Sequence, residues 1–117
     1  HPDAGILAGA QAEAQAEAAG NIVVVDDPRQ AVEDVQVVNT DVWASMGQEE
    51  EAALRRQVFA HYQVNDELLA AAAPEVVVLH CLPAHRGEEI TAPVFSRFQE
   101  LLFTQAENRL HVQKALL

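Results

Sequence analysis

Cysteine occurs once in this 117-residue chain, and tryptophan, tyrosine and methionine also occur once each. A single thiol excludes an internal disulfide framework of the kind that staples small secreted domains. Basic residues are scarce too, with seven Lys and Arg against eighteen Asp and Glu, for a net charge of −11. Such a surface repels a polyanion, so nucleic acid is not an expected partner. No apolar run approaches the ~20 residues of a membrane span. The amino terminus, His1-Pro2-Asp3-Ala4-Gly5, lacks the basic region and apolar core of a signal peptide. These absences predict a soluble, cytoplasmic protein in reducing surroundings, with no membrane partner.

The length suits one domain with a modest core, burying about two thirds of the unfolded surface. Ile6 to Ala19 alternates Ala with Gln and Glu, strong helix formers, and Gly20 suits the C′ position. Ile22 to Val25 reads as a short buried strand. Asp26-Asp27-Pro28 supplies a cap and a first-turn proline for a helix over Pro28 to Glu33. A second strand is predicted at Val35 to Val38, followed by the polar cluster Asn39-Thr40-Asp41 and the loop Val42 to Gly47. Gln48 to His61 reads as a helix with acidic residues first and Arg55 and Arg56 later, as the helix dipole prefers. Asn65 caps a helix over Asp66 to Ala73 that Pro74 stops. The run Val76 to His80 is the third strand. Thr91-Ala92-Pro93 opens a short helix, Leu101-Leu102-Phe103 reads as a brief strand, and Thr104 caps a last helix over Gln105 to Leu117. Strands alternating with helices at this spacing predict βαβ units and a parallel sheet.

Polar clusters follow two of these strands, and in open α/β sheets ligands bind at the carboxyl ends of strands. His80-Cys81-Leu82-Pro83-Ala84-His85-Arg86-Gly87-Glu88-Glu89 packs a thiol, two imidazoles, a guanidinium and two carboxylates directly behind Val76 to Leu79. Pro83 cannot extend a ladder, so the chain leaves the sheet there and frees backbone groups of Cys81 and Leu82. Cys81 reads either as a small buried hydrophobe or as a thiol with its pKa lowered by His80, His85 and Arg86. Zinc held by His80, Cys81 and His85 matches no common ligand spacing. Asp41 is either a turn residue or a carboxylate that receives an ammonium group. Ser45-Met46-Gly47 suits a helix lead-in, Trp43 suits packing, and Arg109 either decorates an amphipathic helix or brings charge to an anionic substrate.

The joint pattern is more specific than its parts. Asp41-Val42-Trp43-Ala44-Ser45-Met46-Gly47-Gln48-Glu49, the His80 to Glu89 stretch, and Gln105-Ala106-Glu107-Asn108-Arg109-Leu110-His111 together closely resemble the second half of the ornithine carbamoyltransferases. The resemblance implies a three-layer Rossmann-like α/β domain with a parallel sheet flanked by helices, truncated at its amino terminus. Residues 1–117 would form the ornithine-binding second domain, with the helix of about 104–117 packing toward a first domain. The implied reaction moves a carbamoyl group from carbamoyl phosphate to the side-chain amine of L-ornithine, giving L-citrulline and phosphate, with no metal or organic cofactor.

By this resemblance Asp41, Ser45 and Met46 hold the amino-acid end of ornithine, and Cys81 is the catalytic residue beside the attacking amine. Backbone oxygens of Cys81 and Leu82 accept from the carbamoyl NH₂, and Arg109 contacts carbamoyl phosphate. The family's Ser-Thr-Arg-Thr-Arg phosphate loop does not occur here, so the chain alone is expected to be inactive. Asn39 stands where a tyrosine is common. A homo-oligomer, usually a trimer, and a place in arginine biosynthesis are further implications. The alternatives are a relative using another amine such as putrescine, and a non-catalytic binding or assembly module of the same fold.

Overall fold

The computed structural model describes residues 2–17, 20–44 and 51–117. Ser45, Met46 and Gly47 lie outside the described residues, as does the first part of the helix predicted from Gln48. Helix α1 spans Ala4–Ala16, earlier than expected, because the Asp3 carboxylate accepts from the backbone N–H of Gly5 and Ile6 at 2.9 and 3.0 Å. It buries no residue, so composition and the Asp3 cap favour it rather than packing.

The strand expected at Ile22 to Val25 does not form. Val23 is 66% exposed, and among the described residues the sheet contains only two strands, neither of which pairs with this segment. β-Branched residues favour a strand only where a neighbouring ladder and a packed face exist. Helix α2, Pro28–Val32, matches the reading, with Asp27 accepting from Arg29 N–H at 2.9 Å.

Strand β1 runs Val37–Thr40, two residues later than predicted. Val35 is consumed by a turn: its N–H donates to Val32 O and its carbonyl accepts from Ala73 N–H. Helix α3, Ala52–Phe59, continues as a 3-10 turn to Tyr62. Helix α4, Asp66–Leu69, is capped by Asn65, which accepts from Leu68 N–H at 2.8 Å, and is shorter than expected because residues 70–73 close turns instead. Strand β2, Val77–His80, pairs parallel with β1 in the register Val37 to Val77 through Thr40 to His80.

Helix α5 is a single helix over Ala92–Leu116. The strand predicted at Leu101 to Phe103 and the helix start at Thr104 are both corrected. Pro93 lies in the first turn, and no glycine or proline follows it to interrupt the ladder. The Thr104 hydroxyl donates back to Glu100 O at 2.8 Å rather than capping a new helix. Leu102 is fully buried while Phe103 is half exposed, as one face of a helix requires. The α5 residues Val94, Phe95 and Leu102 join Val38, Val78 and Ile90 in the core. Each such side chain contributes about 1.5–3 kcal/mol by leaving water. That packing sets α5 against β2 and determines what its polar face reaches.

Candidate functional site

Parallel pairing of Thr40 with His80 places the next residues, Asp41 and Cys81, side by side at the carboxyl rim of the sheet. The Cys81 Sγ–H donates to Asp41 Oδ1 at 3.2 Å, and the same oxygen accepts from Val42 N–H at 2.7 Å. From α5, Arg109 Nη1 donates to the Cys81 carbonyl at 3.3 Å. Three residues separated by tens of positions in the chain therefore converge. Leu82, at φ 55°, turns the backbone out of the strand just before Pro83. A non-glycine residue in that left-handed region costs about 1 kcal/mol or more and needs holding in place.

His80 supplies the restraint. It is fully buried, and its Nδ1 accepts from Leu82 N–H at 2.9 Å while its Nε2 lies 3.0 Å from Glu89 Oε1. The backbone donor at Nδ1 selects the tautomer with the proton on Nε2, which donates to Glu89. Glu89 Oε1 also accepts from His85 N–H at 2.6 Å. One buried carboxylate thus ties the strand end to the loop that follows. Gln105 does a comparable job from α5: its Oε1 accepts from His80 N–H at 2.8 Å. Arg109 lies four residues further along and so on the same helical face. This is why its guanidinium meets the Cys81 carbonyl.

The electrostatics differ from the sequence reading. The Cys81 bond is the main influence holding the Asp41 carboxyl below its ordinary range, with the Val42 N–H helping. The Cys81 thiol is pushed up, first by burial and then by its bond to Asp41; Arg109 acts in the opposite direction but does not prevail. The expected lowering by His80, His85 and Arg86 is not found. The His80 ring is committed to Glu89 and Leu82, His85 is exposed, and the Arg86 guanidinium lies over the Phe95 ring at 4.2 Å. The result is an ionised carboxylate beside a protonated thiol, a locally negative rim that attracts an ammonium group.

Donor atoms of Asp41, His80 and Cys81 lie within 4.8 Å of one another, but both His80 ring nitrogens are already engaged, so a metal there would break two bonds. Sequence reasoning assigned no role to Glu89 or Gln105. Glu89 lies within the His80 stretch and Gln105 opens the third motif, yet only burial and register reveal what each holds.

A parallel α/β sheet carrying a carboxylate and a thiol at its carboxyl rim defines the chain as a Rossmann-like ligand-binding domain. The model of the aspartate/ornithine carbamoyltransferase Asp/Orn binding domain matches residues 1–117, and the chain belongs to that family. It is 59% identical over 106 residues to the ornithine carbamoyltransferase of Acidothermus cellulolyticus, covering 91% of this chain and 34% of that protein. It is 55% identical over 116 residues to the enzyme of the same name from Symbiobacterium thermophilum, covering 99% of this chain and 37% of that relative. The solved ornithine carbamoyltransferase of Pyrococcus furiosus superposes with a TM-score of 0.88 at 48% identity, covering 99% of this chain and 37% of that one. The chain thus spans little more than a third of the length of the curated relatives it matches.

Proposed function

We propose that this chain is the ornithine-binding part of an ornithine carbamoyltransferase. The observation that carries the reading is the Asp41 and Cys81 pair at the sheet rim, with Arg109 at the Cys81 carbonyl. In the proposed reaction the side-chain amine of L-ornithine attacks the carbonyl carbon of carbamoyl phosphate. A C–N bond forms, the tetrahedral oxyanion collapses, the C–O bond to phosphate breaks, and the proton shed by the amine nitrogen leaves on the departing phosphate. Only about one such amine in 2,500 is unprotonated at pH 7, given a reference pKa of ~10.4, so the site must favour the neutral form.

Asp41 receives the α-ammonium of ornithine, with Ser45 and Met46 completing the grip on its amino-acid end. The Cys81 sulfur, its S–H spent on Asp41, accepts from an N–H of the side-chain amine and so turns the amine lone pair toward the carbamoyl carbon, an orienting bond that alanine cannot make. The Cys81 and Leu82 carbonyls accept from the carbamoyl NH₂, and Arg109 brings positive charge toward the phosphate. Orientation of the two reactants supplies much of the remaining rate. The free end of α5, about 104–117, packs toward a first domain that carries the phosphate-binding residues. Family membership supports extending the reading to a cytoplasmic homo-oligomer, a trimer, acting in arginine biosynthesis.

The test joins this chain to the first domain of the Pyrococcus furiosus enzyme and measures citrulline formation. Turnover should appear with L-ornithine and not with putrescine. Cys81→Ala should lower kcat by about a hundredfold or more. An inactive fusion that nevertheless folds, or one whose kcat ignores Cys81, would sink the reading and leave a non-catalytic module.

A further inference from the structure

A second cluster of metal-binding side chains lies on the loop that follows the sheet rim. His85, Glu88 and Glu89 each offer one donor atom, and these atoms lie within 4.8 Å of one another. The backbone builds this convergence. Glu88 N–H donates to His85 O at 2.9 Å, and Gly87 at φ 94° closes the turn in a conformation that a side chain would strain. Residues 85 and 88 are thereby placed together, and Glu89 turns inward beneath them.

Glu89 provides the independent indication of a ligand. Its side chain has no solvent exposure, and while Oε1 accepts from His80 and from His85 N–H, Oε2 is buried with no hydrogen-bond partner. A buried carboxylate oxygen left without a partner costs on the order of 1–3 kcal/mol. That oxygen lies 3.9 Å from His85 Nδ1. The His85 side chain is 52% exposed and that of Glu88 27%, so the cluster opens to water on one side and is closed by Glu89 on the other.

We propose that His85 Nδ1, Glu88 and Glu89 Oε2 form a binding site for a late first-row divalent cation of the zinc class. One imidazole and two carboxylates suit Zn²⁺ or Co²⁺, whereas Mg²⁺ and Ca²⁺ prefer all-oxygen shells. Metal–ligand bonds of about 2.0–2.2 Å in a tetrahedron set donors roughly 3.4 Å apart, so donors now within 4.8 Å of one another would draw in by up to about 1.4 Å, mainly by rotation of the accessible His85 and Glu88 side chains. Water would complete the shell from the open side. Arg56 is the resident competitor, with its Nε donating to Glu88 Oε1 at 2.8 Å. Because Glu89 Oε1 remains on His80, an ion here would brace the residue that precedes Cys81. The site rests on the geometry of this loop and does not depend on the carbamoyl-transfer reading.

Titrating the 117-residue chain with Co²⁺ tests it. One equivalent should bind with visible d–d bands and no sulfur-to-cobalt charge-transfer band, and Zn²⁺ should displace it. His85→Ala and Glu88→Gln, both at accessible positions, should each weaken binding at least roughly tenfold, and Arg56→Ala should tighten it by releasing Glu88. Absence of binding, a sulfur band abolished by Cys81→Ser, or affinity unchanged in His85→Ala would each overturn the proposal.

Discussion

Asp41 and Cys81 share a proton donor and an acceptor in a way that gives each a defined pH response. Bonding to the thiol keeps the Asp41 carboxyl below its ordinary range, so its contribution to stability is present above the unfolded carboxyl pKa and fades as pH falls through the lower folded value. Cys81 runs the other way: with its pKa raised, folding resists thiolate formation and stability declines as pH rises past the ordinary thiol range. Asp41→Asn removes the negative neighbour, so Cys81 should react severalfold faster with iodoacetamide at pH 8. A slower or unchanged reaction would contradict the assigned bond. Glu89 is the other decisive residue at this scale. Glu89→Ala leaves His80 Nε2–H and His85 N–H without an acceptor, and urea unfolding should show a loss of roughly 2–4 kcal/mol. A loss near zero would mean that the buried network is not formed.

At the scale of elements, α5 matters most, because one uninterrupted helix carries both its packing residues and Arg109. Thr104 distinguishes this arrangement from two separate elements. If it capped a new helix, Thr104→Ala would cost about 1 kcal/mol. In the middle of a helix the same change should be neutral or should stabilise by up to ~0.5 kcal/mol. Thr104→Pro should cost about 3 kcal/mol, lower the helical circular dichroism signal and separate Arg109 from Cys81. Chemical denaturation of the two variants checks both outcomes. The parallel pair β1 and β2 is equally consequential, since slipping the register by one residue would turn Asp41 to the other face of the sheet.

For the whole molecule, a net charge of −11 on 117 residues means self-repulsion that salt screens. Raising ionic strength from about 0.01 M to about 0.1 M shortens the screening length from ~30 to ~10 Å. Differential scanning calorimetry should therefore record a Tm higher by a few degrees. A falling Tm would instead mean that attractive surface pairs, such as Arg29 with Glu67, dominate. Apolar residues are exposed in the segment before α2, at Ile22 and Val23, and along the last turns of α5, at Leu110 and Val112. Under the proposed function these are surfaces that a two-domain enzyme would cover. The isolated chain should accordingly give no citrulline, and turnover by the folded chain alone would refute that division of labour.

Local chemistry in the sequence settled much of this. Asp27 and Pro28 begin α2, Asn65 begins α4, and a β-branched run ending at His80 makes β2, because caps and propensities act within a few residues. The three motifs also identified the family, since residue types at fixed spacing survive without coordinates. Ile22 to Val25 failed as a strand, and Leu101 to Phe103 proved helical, because a strand exists only with a partner and no local signal supplies one. The inversion of the Cys81 environment was equally hidden. Which neighbours face a thiol depends on rotamers and burial, and the fold aimed His80 at Glu89 and Arg86 at Phe95, leaving Asp41 as the group beside the sulfur.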